Sequence, residues 1–242
     1  MAARKVESKK QRSVDVVITP VITHEFDLTL VGTSILVVNS MVGKLAEELR
    51  RSRFGTAKPK KHADEASYNR ECRERFMAAR YRLQSGQDGF PAVTIKYALV
   101  DECTFLDGVE KTKVRAGLTV NGGEFLCPIF HDAEEPTMRE DVVRVGGRAG
   151  RGSGTASLAY RPEYRNWRIP VRVTYDPTLV TPQQIVALAS RAGFHQGIGE
   201  WRKPKGGEWG RFRVEEGVSI PANLFPKTKG SKPSKARRGK AA

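Results

Sequence analysis

Thr181-Pro182-Gln183-Gln184 constrains this chain more than any other stretch. It places a threonine oxygen, a proline at the first helical position and a glutamine three residues on, which is a capping box opening a helix from Pro182 to about Ala192. Ile185, Val186, Leu188, Ala189 and Ala192 give that helix one apolar face, and Gly193 is expected to end it. A glycine-rich stretch follows, and then a short strand over 211–214 with Phe212 and Val214 inward and Arg211 and Arg213 outward.

Further upstream, residues 24–31 alternate Phe26, Leu28 and Leu30 with Asp27 and Thr29 and read as a strand, and a second apolar run covers 35–38. Ser40 can cap a helix to about Phe54, and Asp64 one to about Leu83 with Tyr68, Cys72, Phe76, Ala79 and Leu83 on one face. Residues 92–106 read as a mostly buried helix. Asn121-Gly122 predicts a hairpin joining 118–120 to 124–130. Residues 141–145 suggest a strand, and 155–160 and 168–175 a second hairpin whose later strand turns Ile169, Val171, Val173 and Tyr175 to one face and Arg168 and Arg172 to the other. Pro170 sits awkwardly within that strand.

This order of elements predicts an α+β fold with a ferredoxin-like (RRM-like) βαββαβ core, large insertions and disordered basic termini. Residues 1–13 and 226–242 read as arms because they lack a face that could pack. Residues 14–225 read as a single domain with a helical insertion over about 41–106.

Charge narrows the function. Of the net +15, residues 1–12 supply +4 and residues 227–242 supply +7, so the body retains +4. Within the body, residues 139–213 hold twelve arginines and two lysines against six acids, a net +8. Arginine's planar fork grips phosphate with two donors and stacks on bases, which lysine does not. The loops carry further cations: Arg148 and Arg151 among the glycines 146–154 after Arg144, and Arg202, Lys203 and Lys205 beside Trp201 and Trp209 in 197–210. Glycine amides, cations and indole rings together suit a single-stranded nucleic acid. The competing reading packs both tryptophans on the core. A dinucleotide-binding role is excluded, since these glycines follow a helix and precede a strand.

Other classes find little support. Cys72, Cys103 and Cys127 are odd in number with no C-x-x-C spacing, so reduced, partly buried thiols are expected and neither a disulfide framework nor structural zinc. The longest apolar run, 34–41, is far short of the roughly 20 residues of a membrane span, and residues 1–12 lack a secretory apolar region. A cytoplasmic protein is expected, in the host cytoplasm if phage-encoded. His24, His62, His131 and His195 form no catalytic signature. His131 with Asp132, Glu134 and Glu135 is the one candidate cation cluster, for a metal-dependent nuclease. No enzyme activity, metal or cofactor is expected.

A helix, a Gly-x-Gly turn and a Gly-Arg-Phe strand, at 193–213 here, resemble the RAMP superfamily and especially backbone subunits of CRISPR effector complexes. Gly-Phe-Pro-Ala at 89–92, Met-Arg-Glu-Asp at 138–141 and Gly-Ile-Gly-Glu-Trp-Arg-Lys-Pro at 197–204 are also similar to stretches of phage proteins of unassigned function. The resemblance covers about residues 24–215. It implies a RAMP-like domain that holds single-stranded RNA along a row of subunits, within a homo-oligomer or multi-subunit complex. On this chain it implicates Arg168, Arg172, Arg202, Lys205, Arg211 and Arg213, and no catalytic aspartate. Single-stranded RNA or DNA is the expected partner; an assembly protein without a specific nucleic-acid role is the alternative.

Overall fold

A computed structural model describes residues 20–40, 53, 64–121, 125–145 and 155–215. The expected helix capped by Ser40, the tips of both glycine-containing turns and both basic arms lie largely outside these residues.

The elements run β1 (His24–Gly32), β2 (Leu36–Val37), α1 (Glu65–Ala78), β3 (Gly89–Pro91), α2 (Ala92–Glu102) and a 3-10 turn (Cys103–Phe105). Next come α3 (Lys111–Gly117), β4 (Leu118–Val120), β5 (Leu126–Pro128), β6 (Thr137–Val145), β7 (Thr155–Tyr164) and β8 (Arg168–Tyr175). The described chain ends with α4 (Pro182–His195), a 3-10 turn (Lys203–Lys205) and β9 (Phe212–Val214). The protein is thus mixed α+β, and its sheets are antiparallel.

The main sheet has four strands in the order β4-β8-β1-β9. Along β1, Phe26, Leu28 and Leu30 are buried while Glu25 and Asp27 are exposed, and on β8 Ile169, Val171, Val173 and Tyr175 are buried against exposed Arg168 and Arg172. Helices α2 and α4 supply Ile95, Leu99, Ile185 and Leu188 to the same core cluster, so they cover the apolar face. The sequence of β1, α2, β4, β8, α4 and β9, with this spatial order, is compatible with a ferredoxin-like core.

Helix α4 starts as expected, with Thr181 Oγ1 accepting from the Gln184 amide and Gln184 Oε1 accepting from the Thr181 amide. Its end differs. Gly193 lies inside the helix, and a Cβ there would collide with the Phe212 carbonyl oxygen of β9. The glycine therefore serves a close helix–strand approach, and the helix runs on to His195.

Both expected hairpins are corrected. Leu118–Val120 pairs with β8 and Leu126–Pro128 with β3. Asn121 does take a left-handed φ of 56° and its side chain donates to the Leu126 carbonyl, so the chain turns there, but tertiary partners outcompete the local pairing. Likewise β7 pairs with β6 and β2, while β8 pairs with β1 and β4. The switch between sheets occurs at Trp167, which is fully buried with its indole N–H donating to the Ser34 carbonyl at 2.8 Å.

Pro170 costs no ladder bond. The Arg168 amide points away from β1, donating to Phe130, so Pro170 presents its nitrogen to that same side. There it falls in the gap between the Phe130 bridge and Val173, where pairing with β4 begins.

Outside this core, β2, β7 and β6 form a three-stranded sheet, and α1 packs Cys72 and Phe76 against Tyr160 of β7. Asp64 caps α1, accepting from the Ser67 amide at 2.7 Å. Cys72, Cys103 and Cys127 are all buried free thiols. Among the described residues no helix is long and apolar enough to cross a membrane.

Gly193→Ala should cost about 1–3 kcal/mol through overpacking against β9, and Thr181→Ala about 1 kcal/mol through the lost cap. Urea unfolding curves read both, and a neutral Gly193→Ala would show that β9 shifts freely.

Candidate nucleic-acid interface

The main sheet's second face is open along its central strands, with Arg168, Arg172, Glu25 and Asp27 all exposed. Registers fix who sits beside whom. Arg168 is opposite Val31 on β1, Val31 is opposite Arg213 on β9, and Phe130 bridges Arg168 from the other side. Directly opposed residues project to the same face of a sheet. Phe130, Arg168, Val31 and Arg213 therefore form one row across it. Phe130 is 51% exposed and makes a reciprocal pair of 2.8 Å backbone hydrogen bonds with Arg168. Nothing in the spacing of the sequence marks Phe130, because its strand partner lies 38 residues away.

The same face carries acids. Arg172 Nε donates to Asp27 at 3.0 Å, its direct cross-strand neighbour, and Arg168 meets Glu215 at 3.4 Å. Asp27 holds the Arg172 guanidinium above its ordinary pKa. Of the expected arginine track of Arg168, Arg172, Arg211 and Arg213, Arg211 lies just before β9 beside Glu208, and the other three are interleaved with Glu25, Asp27 and Glu215, so the face is not a uniformly positive strip. Exposed pairs of this kind are screened by water and contribute little, so a phosphate can replace the carboxylate at little cost.

Part of the arginine bias in 139–213 is structural. Arg139 donates to Asp141 at 2.8 Å and to Glu163 at 2.9 Å, Arg165 also binds Glu163, and Arg161 lies 3.6 Å from Asp141. Arg161 and Glu163 are themselves buried. Burial pushes the Glu163 carboxyl up, but Arg139 and Arg165 outweigh it and hold it below its ordinary 4.5. Arg144 lies on β6 opposite Ala156, in the smaller sheet and apart from Arg168 and Arg172. Arg148 and Arg151 lie outside the described residues.

The glycine–tryptophan loop is fastened to β2 and its flanks: the Glu200 amide donates to Val37 at 2.8 Å and the Gly210 amide to Ile35 at 2.7 Å. Ile198 is buried beneath it. Trp201 is 45% exposed and adopts a left-handed φ of 50°, unusual for a bulky residue. Gly207 abuts its carbonyl, where any side chain would clash, and the Trp209 amide donates to it at 3.2 Å. The loop thus holds the ring outward at the expense of backbone strain. Trp209 lies 5.9 Å from it, under the Arg139 guanidinium at 4.3 Å. Neither indole belongs to the core clusters, against the reading that packs them there.

The loop's cations have separate stations. Lys203 sits over the Phe194 ring at 3.9 Å, Lys205 pairs with Glu200 at 3.2 Å, Arg202 is partly exposed, and Arg211 lies 3.5 Å from Glu208.

Residues of the candidate cation cluster at 131–135 are engaged elsewhere. Glu135 is taken by Arg73 at 2.7 Å and by Arg80 at 2.6 Å, Asp132 accepts from Asn166 at 2.8 Å, and the His131 ring meets Tyr164 edge-on. Arg80 also makes a two-pronged bond to buried Asp88, at 2.9 and 2.8 Å. Among the described residues no group of three or more His, Cys, Asp or Glu could hold a metal ion.

Asp88→Ala should cost about 3–5 kcal/mol by leaving the Arg80 guanidinium buried without its main partner; thermal unfolding measures it. Because Glu163 titrates below its unfolded value, its contribution is present above pH 4.5 and is lost as pH falls through the lower folded value. Glu163→Gln should therefore flatten the acid side of the stability–pH curve, and an unchanged slope would remove that contribution.

No family model and no curated protein matches the chain. In structure it is similar to Cmr6 from Pyrococcus furiosus, at 10% sequence identity and a TM-score of 0.41, with 81% of this chain and 100% of that chain covered.

Proposed function

We propose that this chain binds single-stranded nucleic acid, RNA favoured, without catalysis, through the open sheet face and the tryptophan loop. The observation that carries this reading is the row Phe130–Arg168–Val31–Arg213: an exposed ring next to Arg168, with Arg213 two strands further along, on a sheet face that the described helices do not cover. A ring of this kind offers a base a stacking surface, and flanking arginines take the adjoining phosphates. Trp201, held outward by its loop, supplies a second stacking surface, with Arg202 next to it in the chain.

Because the face is charge-balanced, recognition rests on stacking and on displaced ion pairs more than on bulk attraction. The basic arms add attraction that depends on salt. The RAMP-like resemblance at 193–213 extends the proposal to RNA held by repeated subunits of a ribonucleoprotein-like assembly. Under that reading Arg168, Arg172, Arg202, Lys205, Arg211 and Arg213 follow the RNA backbone.

The test is binding of a labelled single-stranded oligonucleotide, RNA and DNA in parallel, across a salt series. Phe130→Ala and Trp201→Ala should each cost about 1–3 kcal/mol of affinity, the worth of one base-stacking contact. Arg168→Ala with Arg172→Ala should lower the salt slope by up to about 2 phosphate contacts' worth. Removal of residues 227–242 should weaken binding without changing those differences. Binding that survives the sheet and loop substitutions but vanishes with the tail would overturn the reading in favour of an assembly protein with sticky arms. Consumption of the oligonucleotide would overturn its non-catalytic part.

A further inference from the structure

A notch of about 300 Å³ opens between the C-terminal half of α4 and β9. It arises beside the close approach at Gly193, where the missing side chain brings helix backbone against the Phe212 carbonyl. Its lining includes Ser190, Thr33, Phe194, Arg211 and Arg213. Among the described residues no carboxylate lines it.

Phe194 is not explained by packing. It is 61% exposed, on a helix whose other apolar residues face the core, and Lys203 rests on its ring. Among the described residues Arg211 has Glu208 as its one carboxylate neighbour, at 3.5 Å, and that glutamate side chain is itself 65% exposed. An aromatic wall, two guanidinium groups and two hydroxyls match the three parts of a nucleotide: base, phosphate and sugar. The volume lies at the small end of ligand sites and suits one such unit, not a chain of them.

We propose that this notch is a binding site for a single nucleotide unit, with the base against Phe194, the phosphate between Arg211 and Arg213, and the sugar hydroxyls at Ser190 and Thr33. The inference deepens the nucleic-acid reading, since Arg213 belongs both to the notch and to the sheet row. A strand crossing that row would reach the notch at the β9 edge. A free nucleotide would meet the same groups.

The full chain is titrated by calorimetry with AMP, ribose 5-phosphate, adenosine and inorganic phosphate, and separately with the labelled single-stranded oligonucleotide. AMP should bind about tenfold more tightly than ribose 5-phosphate, the gain from one stacked base. Phe194→Ala should erase that advantage. Ser190→Trp, at an exposed helix position, should fill the notch and abolish AMP binding while the melting temperature stays within a few degrees of the parent. Equal weak binding of all four small ligands would overturn the proposal, as would AMP binding unaffected by Ser190→Trp in a folded variant.

The oligonucleotide arm separates this failure from failure of the broader reading. If Ser190→Trp leaves oligonucleotide binding intact while Phe130→Ala weakens it, the sheet face stands without the notch. If AMP binds and Ser190→Trp blocks it with no effect on the oligonucleotide, the notch is confirmed as a site for free nucleotides.

Discussion

Strand β1 is hydrogen-bonded on both edges, and its two-residue alternation decides the rest of the molecule. Phe26, Leu28 and Leu30 commit one face to the helices, and the registers with β8 and β9 carry that choice across the sheet. A slip of one residue would bury Asp27 and expose Leu28. Because the register holds, Arg168, Arg172 and Arg213 emerge on the side that the described helices leave open.

The close contact of Gly193 with Phe212 does related work at the sheet's edge. It lets α4 lie against β9 at backbone distance, which sets the notch and turns Phe194 outward. Beyond the main sheet, polar cross-links take over from apolar packing. Arg80 joins Asp88 to Glu135, and Arg139 joins Asp141, Glu163 and the Trp209 ring. Within 139–213, Arg139, Arg161 and Arg165 are held by Asp141 and Glu163 in this way, which explains why a stretch so rich in arginine presents less positive surface than its composition suggests.

Much of the local structure was legible from residue spacing. The capping box at Thr181, the alternation in 24–31 and 168–175, and the inward Phe212 all depend on neighbours within a few residues, and all appear in the fold. The hairpins failed for the opposite reason. Asn121-Gly122 specifies a turn, yet whether the flanking strands pair with each other is settled by competition with β8 and β3. Phe130 was invisible because its bridge to Arg168 spans 38 residues. The arginines were legible as a class, but their carboxylate partners, Asp27 and Glu163 above all, were not.

By itself, the sequence determined most of the described helices and strands, though not β3 or α3, together with their inward-facing residues and where cations concentrate, since these follow from periodicity and side-chain chemistry. Only the tertiary structure decided which strands meet, which arginines are occupied by acids, and which rings stand exposed. Those outcomes depend on register across distant segments and on competition for a limited number of partners, and no local pattern encodes either.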